Sequence, residues 1–329
     1  MKNALIFGVT GQDGSYLVNF LLKKGYHVYG TFRRTSHKLF ERLEEMDTFD
    51  KITTIKADLA DQISIQRAIK QSQPDEVYNL AAQSFVTASF QQPVLTADIT
   101  GIGVIRVLEA IKENTPNAKF YQASTSEMYG NYPGIKNESS PFRPRSPYGA
   151  AKVFAHNMTI NYREAYNIFA CCGILFNHES PLRGLEFVTR KITSTFAAIK
   201  FNKTDKLHLG NINVKRDWGF AGDYVEAMWL MLQKQTPDDY VIATGESHSI
   251  EEFLTLAAEY VGLGDWHNFI EIDESNKRPA DIEELVGDAS KARKELGWKP
   301  KLSFKELVKI MVEHDINYYK KGKKELDDS

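Results

Sequence analysis

Apolar and polar positions along this chain follow two periods that alternate. Ala4-Leu5-Ile6-Phe7 is a short apolar run and predicts a strand over residues 3–8. Glycines at 8, 11 and 14 follow, and then Tyr16, Leu17, Val18, Phe20, Leu21 and Leu22 carry the spacing of a helix face. The pattern recurs as strands at 27–32, 52–57, 76–80 and 119–123, with helices at 62–71 and 96–114. Ile99, Ile102, Val107, Leu108 and Ile111 mark the buried face of the second helix. Strands alternating with helices predict a parallel sheet covered on both faces. The expected fold class is therefore α/β, a doubly wound, Rossmann-type parallel sheet. From about Phe169 the pattern becomes mixed, which predicts a smaller C-terminal lobe built from interleaved segments. Within it, residues 241–245 read as a late strand that rejoins the sheet. Ser249 to Glu252 reads as a capping box, and residues 304–319 as an amphipathic closing helix.

The glycines change this picture from architecture to chemistry. Strand, glycine turn and helix place backbone N–H groups and a positive dipole end where a pyrophosphate can approach. The spacing is Gly-x-x-Gly-x-x-Gly, so Gly8 and Gly11 are the first candidate nucleotide contacts. A dinucleotide site that takes NAD usually ends its second strand with an acid for the ribose 2′-hydroxyl. Here Arg33, Arg34, Thr35 and Ser36 stand there, which suits a 2′-phosphate and favours NADP. Asp58 and Leu59, after the third strand, are expected to flank the adenine. The turn Ala81-Ala82-Gln83-Ser84 is expected near the pyrophosphate and the nicotinamide ribose. Residues 1–170 are thus read as the NADP-binding domain, with segments at about 210–245 returning to it. Residues 171–329 are read mainly as a substrate-binding lobe.

Composition narrows the partners. The chain has 329 residues, 42% of them hydrophobic, and a net charge of -2 with acids and bases mixed. That balance argues against a nucleic-acid binder. No apolar run reaches the length of a membrane span, and no signal-peptide core is evident at the N-terminus. The two cysteines, Cys171 and Cys172, are adjacent, and a disulfide between them would be strained. They are read as reduced core residues of a cytoplasmic protein, and no metal site is expected.

Candidate chemistry centres on Tyr-Gly-Ala-Ala-Lys at 148–152. Tyr148 and Lys152 lie one helical turn apart and share a face. A phenol, which ordinarily titrates near pH ~10, is a poor base in neutral water. A neighbouring ammonium and a positive nicotinamide ring would favour the phenolate, giving a base for a sugar hydroxyl. Glu127 follows the fifth strand, where ligands of such sheets sit. A ketoreductase or epimerase has no need of that carboxylate, but a dehydratase does. Once a sugar C4 hydroxyl is oxidised, the C5 proton becomes acidic; Glu127 is placed to remove it and to assist loss of the C6 hydroxyl. Thr125 is read as a partner of the C4 oxygen and of Tyr148. In the second half, Asn177 is expected to donate to a sugar or phosphate oxygen. Val188 and Lys191 share a helical face, so Lys191 can reach a diphosphate. Gly210 permits close approach of a nucleotide base. Arg216 is the first choice for forking a diphosphate, with a structural ion pair to Asp217 or Asp223 as the alternative; Arg278 is the second choice.

Several longer strings carry a resemblance. They are Gly-Val-Thr-Gly-Gln-Asp-Gly-Ser-Tyr-Leu at 8–17, Phe-Tyr-Gln-Ala-Ser-Thr-Ser-Glu-Met-Tyr-Gly at 120–130 and Pro-Arg-Ser-Pro-Tyr at 144–148. Further on come residues 173–181, with Asn-His-Glu-Ser-Pro, then residues 186–192, the stretch at 215–229 opening Lys-Arg-Asp-Trp-Gly, and Arg-Pro-Ala at 278–280. Together they span nearly the whole chain, which resembles the GDP-mannose 4,6-dehydratases of the extended short-chain dehydrogenase/reductase family. The resemblance implies a catalytic set of Thr125, Glu127, Tyr148 and Lys152. It implies NADP contacts from Gly8, Thr10, Gly11, Gln12 and Asp13, from Arg33 to Ser36, and from Asp58 and Leu59. Leu80, Ala81, Ala82, Ser84, Tyr148, Lys152, His178 and Arg183 complete that set. Ser84, Ser126 and Glu127 are further expected substrate contacts. The chain departs from the family pattern at Leu95, where a tyrosine usually touches the cofactor, and at Asp281, where glutamate is usual. The implied reaction converts GDP-mannose to GDP-4-dehydro-6-deoxymannose with NADP bound throughout. The implied assembly is a homodimer or homotetramer in which the 33–43 loop meets a neighbouring subunit. A dehydratase for GDP-manno-heptose and a nucleotide-sugar 4-ketoreductase or epimerase remain as alternatives.

Overall fold

The computed structural model describes residues 1–36, 38–273 and 280–322. Its centre is a seven-stranded sheet. The strands are β1 (Asn3–Phe7), β2 (His27–Phe32), β3 (Thr53–Lys56), β4 (Glu76–Asn79), β5 (Lys119–Thr125), β6 (Ala170–Leu175) and Tyr240–Ile242. In space they run β3-β2-β1-β4-β5-β6 and then Tyr240–Ile242, all parallel. Every residue of β4 and β6 is buried, as both covered faces require. The order reverses between β1 and β4, and that reversal opens a crevice at the carboxyl ends of the strands.

Helices close both faces. They are α1 (Gln12–Lys23), α2 (Glu41–Glu45), α3 (Gln62–Ser72), α4 (Val86–Gln91), α5 (Pro93–Thr96), α6 (Gly103–Asn114), α7 (Pro147–Tyr166), α8 (Val188–Lys200), α9 (Ala221–Leu232), α10 (Ile250–Val261), α11 (Ser290–Leu296) and α12 (Phe304–Lys320). Leu17 and Leu21 of α1 pack with Val225 and Met228 of α9 on one face of the sheet. Ile65 and Ile69 of α3 pack with Val107 and Ile111 of α6 on the other. A third core joins Phe196 of α8, Phe253 of α10 and Met311 of α12. The capping boxes of α10 and α12 use Ser249 with Glu252 and Ser303 with Glu306.

Two sequence expectations are refined. The return to the sheet extends beyond α9 and Tyr240–Ile242, because Ile282, Leu285, Ala289, Ala292 and Trp298 enter the same core as α1. The Trp298 indole N–H fixes this return by donating to the Asp223 carbonyl at 2.8 Å. The helix expected from 96 to 114 starts at Pro93 and widens into a π-helix over Ala97–Ile102. Gly103 ends the widening against Leu59, and Thr100 uses its hydroxyl to accept the Gln83 N–H at 3.1 Å. The π segment therefore ties this helix to the turn after β4.

The 33–43 loop begins in solvent but ends inside its own chain. Leu43 is fully buried, and the Arg42 guanidinium donates to the carbonyls of Leu182 at 2.7 Å and Thr10 at 3.2 Å. Close by, His314 of α12 sits between Glu45 of α2 at 2.7 Å and Asp315 at 3.2 Å. Burial opposes its charge, yet the two carboxylates outweigh burial and push its pKa up to about 9 from 6.5. A raised folded pKa contributes stability that is complete below 6.5 and fades as pH rises through about 9. With His314 about a quarter exposed, the contribution is on the order of 2 kcal/mol. Urea unfolding on either side of this window should show that loss, and a His314→Gln protein should show a flatter profile.

Candidate active site

Tyr148 owes its position to a helix start. Ser146 caps α7 by accepting the Gly149 N–H at 3.0 Å, and Pro147 opens the first turn. A Cβ on Gly149 would lie 2.9 Å from the Glu127 carbonyl oxygen, so glycine lets α7 approach the Glu127 backbone. Tyr148, Lys152 and His156 follow at four-residue steps and face β5. Thr125 hydrogen-bonds Tyr148, Lys152 Nζ donates to the Ala123 carbonyl at 2.7 Å, and His156 Nδ1 meets Ser124 Oγ at 3.0 Å. Strand β5 runs two residues beyond expectation and ends on Thr125. The 3-10 turn Ser126–Met128 follows, and the Thr125 hydroxyl accepts the Glu127 N–H at 3.3 Å. The resulting cleft is lined by Thr125, Ser126, Glu127, Tyr148 and Lys152 together.

The protein alone does not make Tyr148 a phenolate. Burial first, and then the charge of Glu127, hold its pKa well above 10, and the Thr125 hydrogen bond only partly opposes them. Lys152, 5.8 Å from the tyrosine ring centre, is pulled down to about 8 by burial, against the weaker field of Asp13. Of the two positive charges expected to favour the phenolate, the ammonium and the nicotinamide ring, the ammonium alone does not bring the phenol down. The protein supplies a poised phenol, and a further positive charge in the cleft is needed to turn it into a base.

The opposite wall is the β1–α1 turn, with Gly8, Gly11, Gln12, Asp13 and Gly14, beside Leu80, Ala82 and Ser84. Gly8 has φ +87°, a conformation that favours glycine. Gly11 caps α1 without a side-chain bond, so the first-turn N–H groups face the cleft as an anion site. A Cβ on Gly14 would lie 2.4 Å from the Gly8 carbonyl and 2.7 Å from Val9 Cα. Gly14→Ala should therefore cost about 1–3 kcal/mol in unfolding free energy and abolish dinucleotide binding in a calorimetric titration.

A fixed charge pair lies between the walls. His178 faces the Asp13 carboxylate through Nε2 at 2.8 Å and the Phe176 carbonyl through Nδ1 at 2.7 Å. Both partners are acceptors, a setting that favours a proton on each ring nitrogen and so the imidazolium form. Burial opposes this state, but Asp13 and the Phe176 carbonyl raise the His178 pKa despite it. Burial likewise opposes ionisation of Asp13, yet His178, Gln12 and Arg183 bring its pKa down. Gln12 acts as a strut, donating to the His178 carbonyl and accepting from Ser180. Arg183 also lines the cleft, with its guanidinium 3.5 Å from the centre of the Phe187 ring.

Asn177 completes the expected residues that line the cleft, and others lie outside its lining. Thr10 is in the turn, where its carbonyl serves Arg42. Arg33, Arg34, Thr35 and Ser36 are exposed after β2, and Asp58 and Leu59 follow β3, on the same sheet edge as Gly8. The Leu59 side chain is buried, with its Cβ close against Gly103. Ala81 packs its backbone against Gly8. Val188 and Lys191 are half-buried on α8, and Gly210 is half-buried after Leu207–Leu209. Arg216 is buried and pairs with Asp281 at 3.5 Å, not with Asp217 or Asp223. Asp217 is instead engaged by Thr244, Gly245 and Gly287, and Asp223 by the Lys301 and Leu302 N–H groups. Arg278 lies outside the described residues. Leu95 is exposed and does not line the cleft.

Sequence reasoning left out Val86, Ala123, Leu175, Phe176 and Phe187, which also line the cleft, and assigned no contact to Ser124. Ala123 and Ser124 lie inside the string at 120–130, Leu175 and Phe176 inside 173–181, and Phe187 inside 186–192, whereas Val86 lies in none of them. One group of possible metal ligands, His156, Cys172 and Asp239, occurs among the described residues. Its carboxylate is committed to a two-pronged pair with Arg163 and to the Cys172 N–H.

The family described as GDP-mannose 4,6 dehydratase matches residues 5–311. The chain is 53% identical over 333 residues to GDP-mannose 4,6 dehydratase 2 of Arabidopsis thaliana, covering 98% of this chain and 89% of the relative. Its fold is similar to that of a UDP-glucose 4-epimerase from Thermotoga maritima solved with UDP-glucose. There the TM-score is 0.85 at 25% identity, over 98% of this chain and 100% of the other. It is also similar to a UDP-glucose 4-epimerase from Thermus thermophilus in complex with NAD, with TM-score 0.82 at 27% identity over 95% and 98% of the two chains. Matched along nearly its whole length, this chain belongs to the GDP-mannose 4,6-dehydratase family.

Proposed function

We propose that the protein converts GDP-mannose to GDP-4-dehydro-6-deoxymannose and water. The observation that carries this reading is Glu127 in one cleft with Thr125, Tyr148 and Lys152. The cleft suits a nicotinamide dinucleotide, with its glycine turn, open helix start and two cations, His178 and Arg183. When bound in oxidised form, that cofactor supplies the positive charge Tyr148 lacks and carries the C4 hydrogen to C6.

The protein groups do the rest. Thr125 and Tyr148 hold the C4 hydroxyl, and Tyr148 takes its proton as the C4 ketone forms. Glu127 then removes the C5 proton, now acidic, and delivers it to the departing C6 hydroxyl. Loss of water leaves Glu127 ionised, so after C6 is reduced Glu127 takes up a proton from solvent and gives it to C5, while Tyr148 releases to solvent the proton it took from C4, and the 4-keto sugar leaves. Lys152 holds the nicotinamide ribose, while Ser84, Ser126 and Asn177 orient the sugar. Val188, Lys191, Gly210, Arg216 and Arg278 are proposed for the GDP portion. A diphosphate at Arg216 would compete with Asp281, which meets the guanidinium at 3.5 Å.

Arg33, Arg34, Thr35 and Ser36 favour NADP over NAD, because they follow β2 where a ribose 2′-phosphate would lie. Replacing both arginines by serine should weaken NADP+ binding by about 10–100-fold, the loss of one charge-assisted bond or a little more, and spare NAD+. The apolar Leu95, Ile102 and Phe154 are exposed on neighbouring helical segments and support a homodimer or homotetramer. Among the described residues no helix is long and apolar enough to cross a membrane. Two buried free thiols fit a reducing, cytoplasmic setting.

Incubation with GDP-mannose and mass analysis of the sugar nucleotide tests the reading. A product lighter by one water, with no net reduced cofactor, is expected. Unchanged GDP-mannose alongside dehydration of GDP-manno-heptose would move the assignment to that sugar.

A further inference from the structure

Behind Lys152 lies a chain of buried amides with no part in the reaction as written. Asn79 ends β4 and stands directly opposite Gln122 of β5 in the sheet register. Both are buried, at 0% and 1% exposed. Asn79 Nδ2 donates to Gln122 Oε1 at 2.8 Å, and Gln122 Nε2 donates to the Ala123 carbonyl at 3.0 Å. That same carbonyl receives Lys152 Nζ at 2.7 Å. The orientation of both amides follows from the end of the chain. The Ala123 oxygen can only accept, so Gln122 must turn its NH2 toward it and its oxygen toward Asn79.

A carbonyl oxygen has two acceptor sites, and here each meets a donor held by a different element. The Ala123 peptide is fixed from the sheet side by Gln122, and Lys152 rests on it from α7. In a buried site an ammonium is held by few contacts, so the direction of this carbonyl decides where its remaining N–H groups point. Those groups face the cleft, because Lys152 and Ala123 both line it. We propose that Gln122, held in turn by Asn79, is a positioning residue for Lys152. It fixes the carbonyl on which the ammonium rests and so sets the reach of Lys152 toward the hydroxyls of a bound nicotinamide ribose. The inference rests on the nicotinamide reading above.

Lys152 has other titratable or charged neighbours. Tyr148 and His156 share its helix, Asp13 faces it from α1, Cys172 from β6, and Glu127 stands after β5. Burial keeps the Tyr148 phenol, the Cys172 thiol and the His156 imidazole uncharged near neutrality. Asp13, whose carboxyl is drawn below its ordinary value by His178, Gln12 and Arg183 against burial, stays charged where Lys152 loses its proton.

The test is calorimetric titration of the purified full chain with NADP+ across pH, for the unaltered protein and for Gln122→Met. The unaltered protein should lose affinity as pH rises through about 8, the value to which Lys152 is pulled. In Gln122→Met the ammonium loses its fixed acceptor, and this limb should move to lower pH by about one unit, a tenfold weaker affinity midway. Below the limb the two proteins should bind within about 2-fold of each other, a difference too small to count as a lost hydrogen bond. A merely structural Gln122 would lower the unfolding temperature and leave the limb in place, and that result would overturn the proposal. If Gln122→Met does not fold, Asn79→Ala keeps Gln122 but frees it. Its limb must move the same way, and a limb coincident with the unaltered protein's would overturn the proposal equally. An unaltered protein that binds neither NADP+ nor NAD+ at any pH would overturn the nicotinamide reading itself and this inference with it.

Discussion

Glu127→Gln should stop the reaction after C4 oxidation. The amide has nearly the shape of the carboxylate, and the 3-10 turn that carries it is set by backbone, with Thr125 accepting the residue 127 N–H. What is lost is the group proposed to remove the C5 proton and carry it to the C6 hydroxyl. Loss of a positioned acid–base group costs about 10²–10⁴ in rate, and here one residue serves two transfers, so the upper end is expected. The signature is qualitative as well. The sugar nucleotide should lack two hydrogens, as a 4-ketone does, with its C6 hydroxyl retained. Exchange of the C5 hydrogen with deuterated water should also cease. Normal dehydration by this variant would remove Glu127 from the mechanism.

Tyr148→Phe should fail one step earlier. Its phenol is buried, bonded to Thr125 and protonated until a positive charge enters the cleft. Phenylalanine keeps the ring but leaves the C4 hydroxyl proton without an acceptor, for a loss of about 10²–10⁴ in kcat near neutral pH. No 4-keto sugar should accumulate in any form. The two variants are therefore separated by their products, not only by their rates. Dinucleotide affinity should stay within a few-fold in Tyr148→Phe, because Lys152, His178 and the glycine turn remain. A variant that loses binding and turnover in parallel would instead point to a collapsed cleft.

The legibility of this chain differs between its halves for physical reasons. Strand and helix periods write themselves into residues 1–170, because the central strands are buried almost throughout and the long helices bury one face. The one long helix misread there, 96–114, hides a π segment whose cause is tertiary: Thr100 bonding Gln83 and Leu59 pressing on Gly103. That Tyr148 and Lys152 share a face was legible because they are one turn apart. The partners of that face were not, since Ala123 contributes a carbonyl and Gly149 a close approach, and neither leaves a side-chain signature.

Ion pairing in the second half was the least legible. Arg216 has acids at Asp217 and Asp223 nearby in sequence, yet strand pairing of Lys215–Arg216 with Glu284–Leu285 sets it beside Asp281. Asp217 is drawn off by the Thr244 hydroxyl and three backbone N–H groups. No local pattern encodes that choice. His178 shows the same limit, because its charge depends on Asp13, which is distant in sequence, and on the carbonyl of Phe176.

The central claim is that one sugar is oxidised, dehydrated and reduced within one cleft, without exchange of its migrating hydrogen. GDP-mannose carrying deuterium at C4 tests this directly, with the product read by NMR. The account predicts that the label moves from C4 to C6 of the same sugar and is retained there in full. Label lost to solvent, or left at C4 in a product that has still lost water, would contradict it.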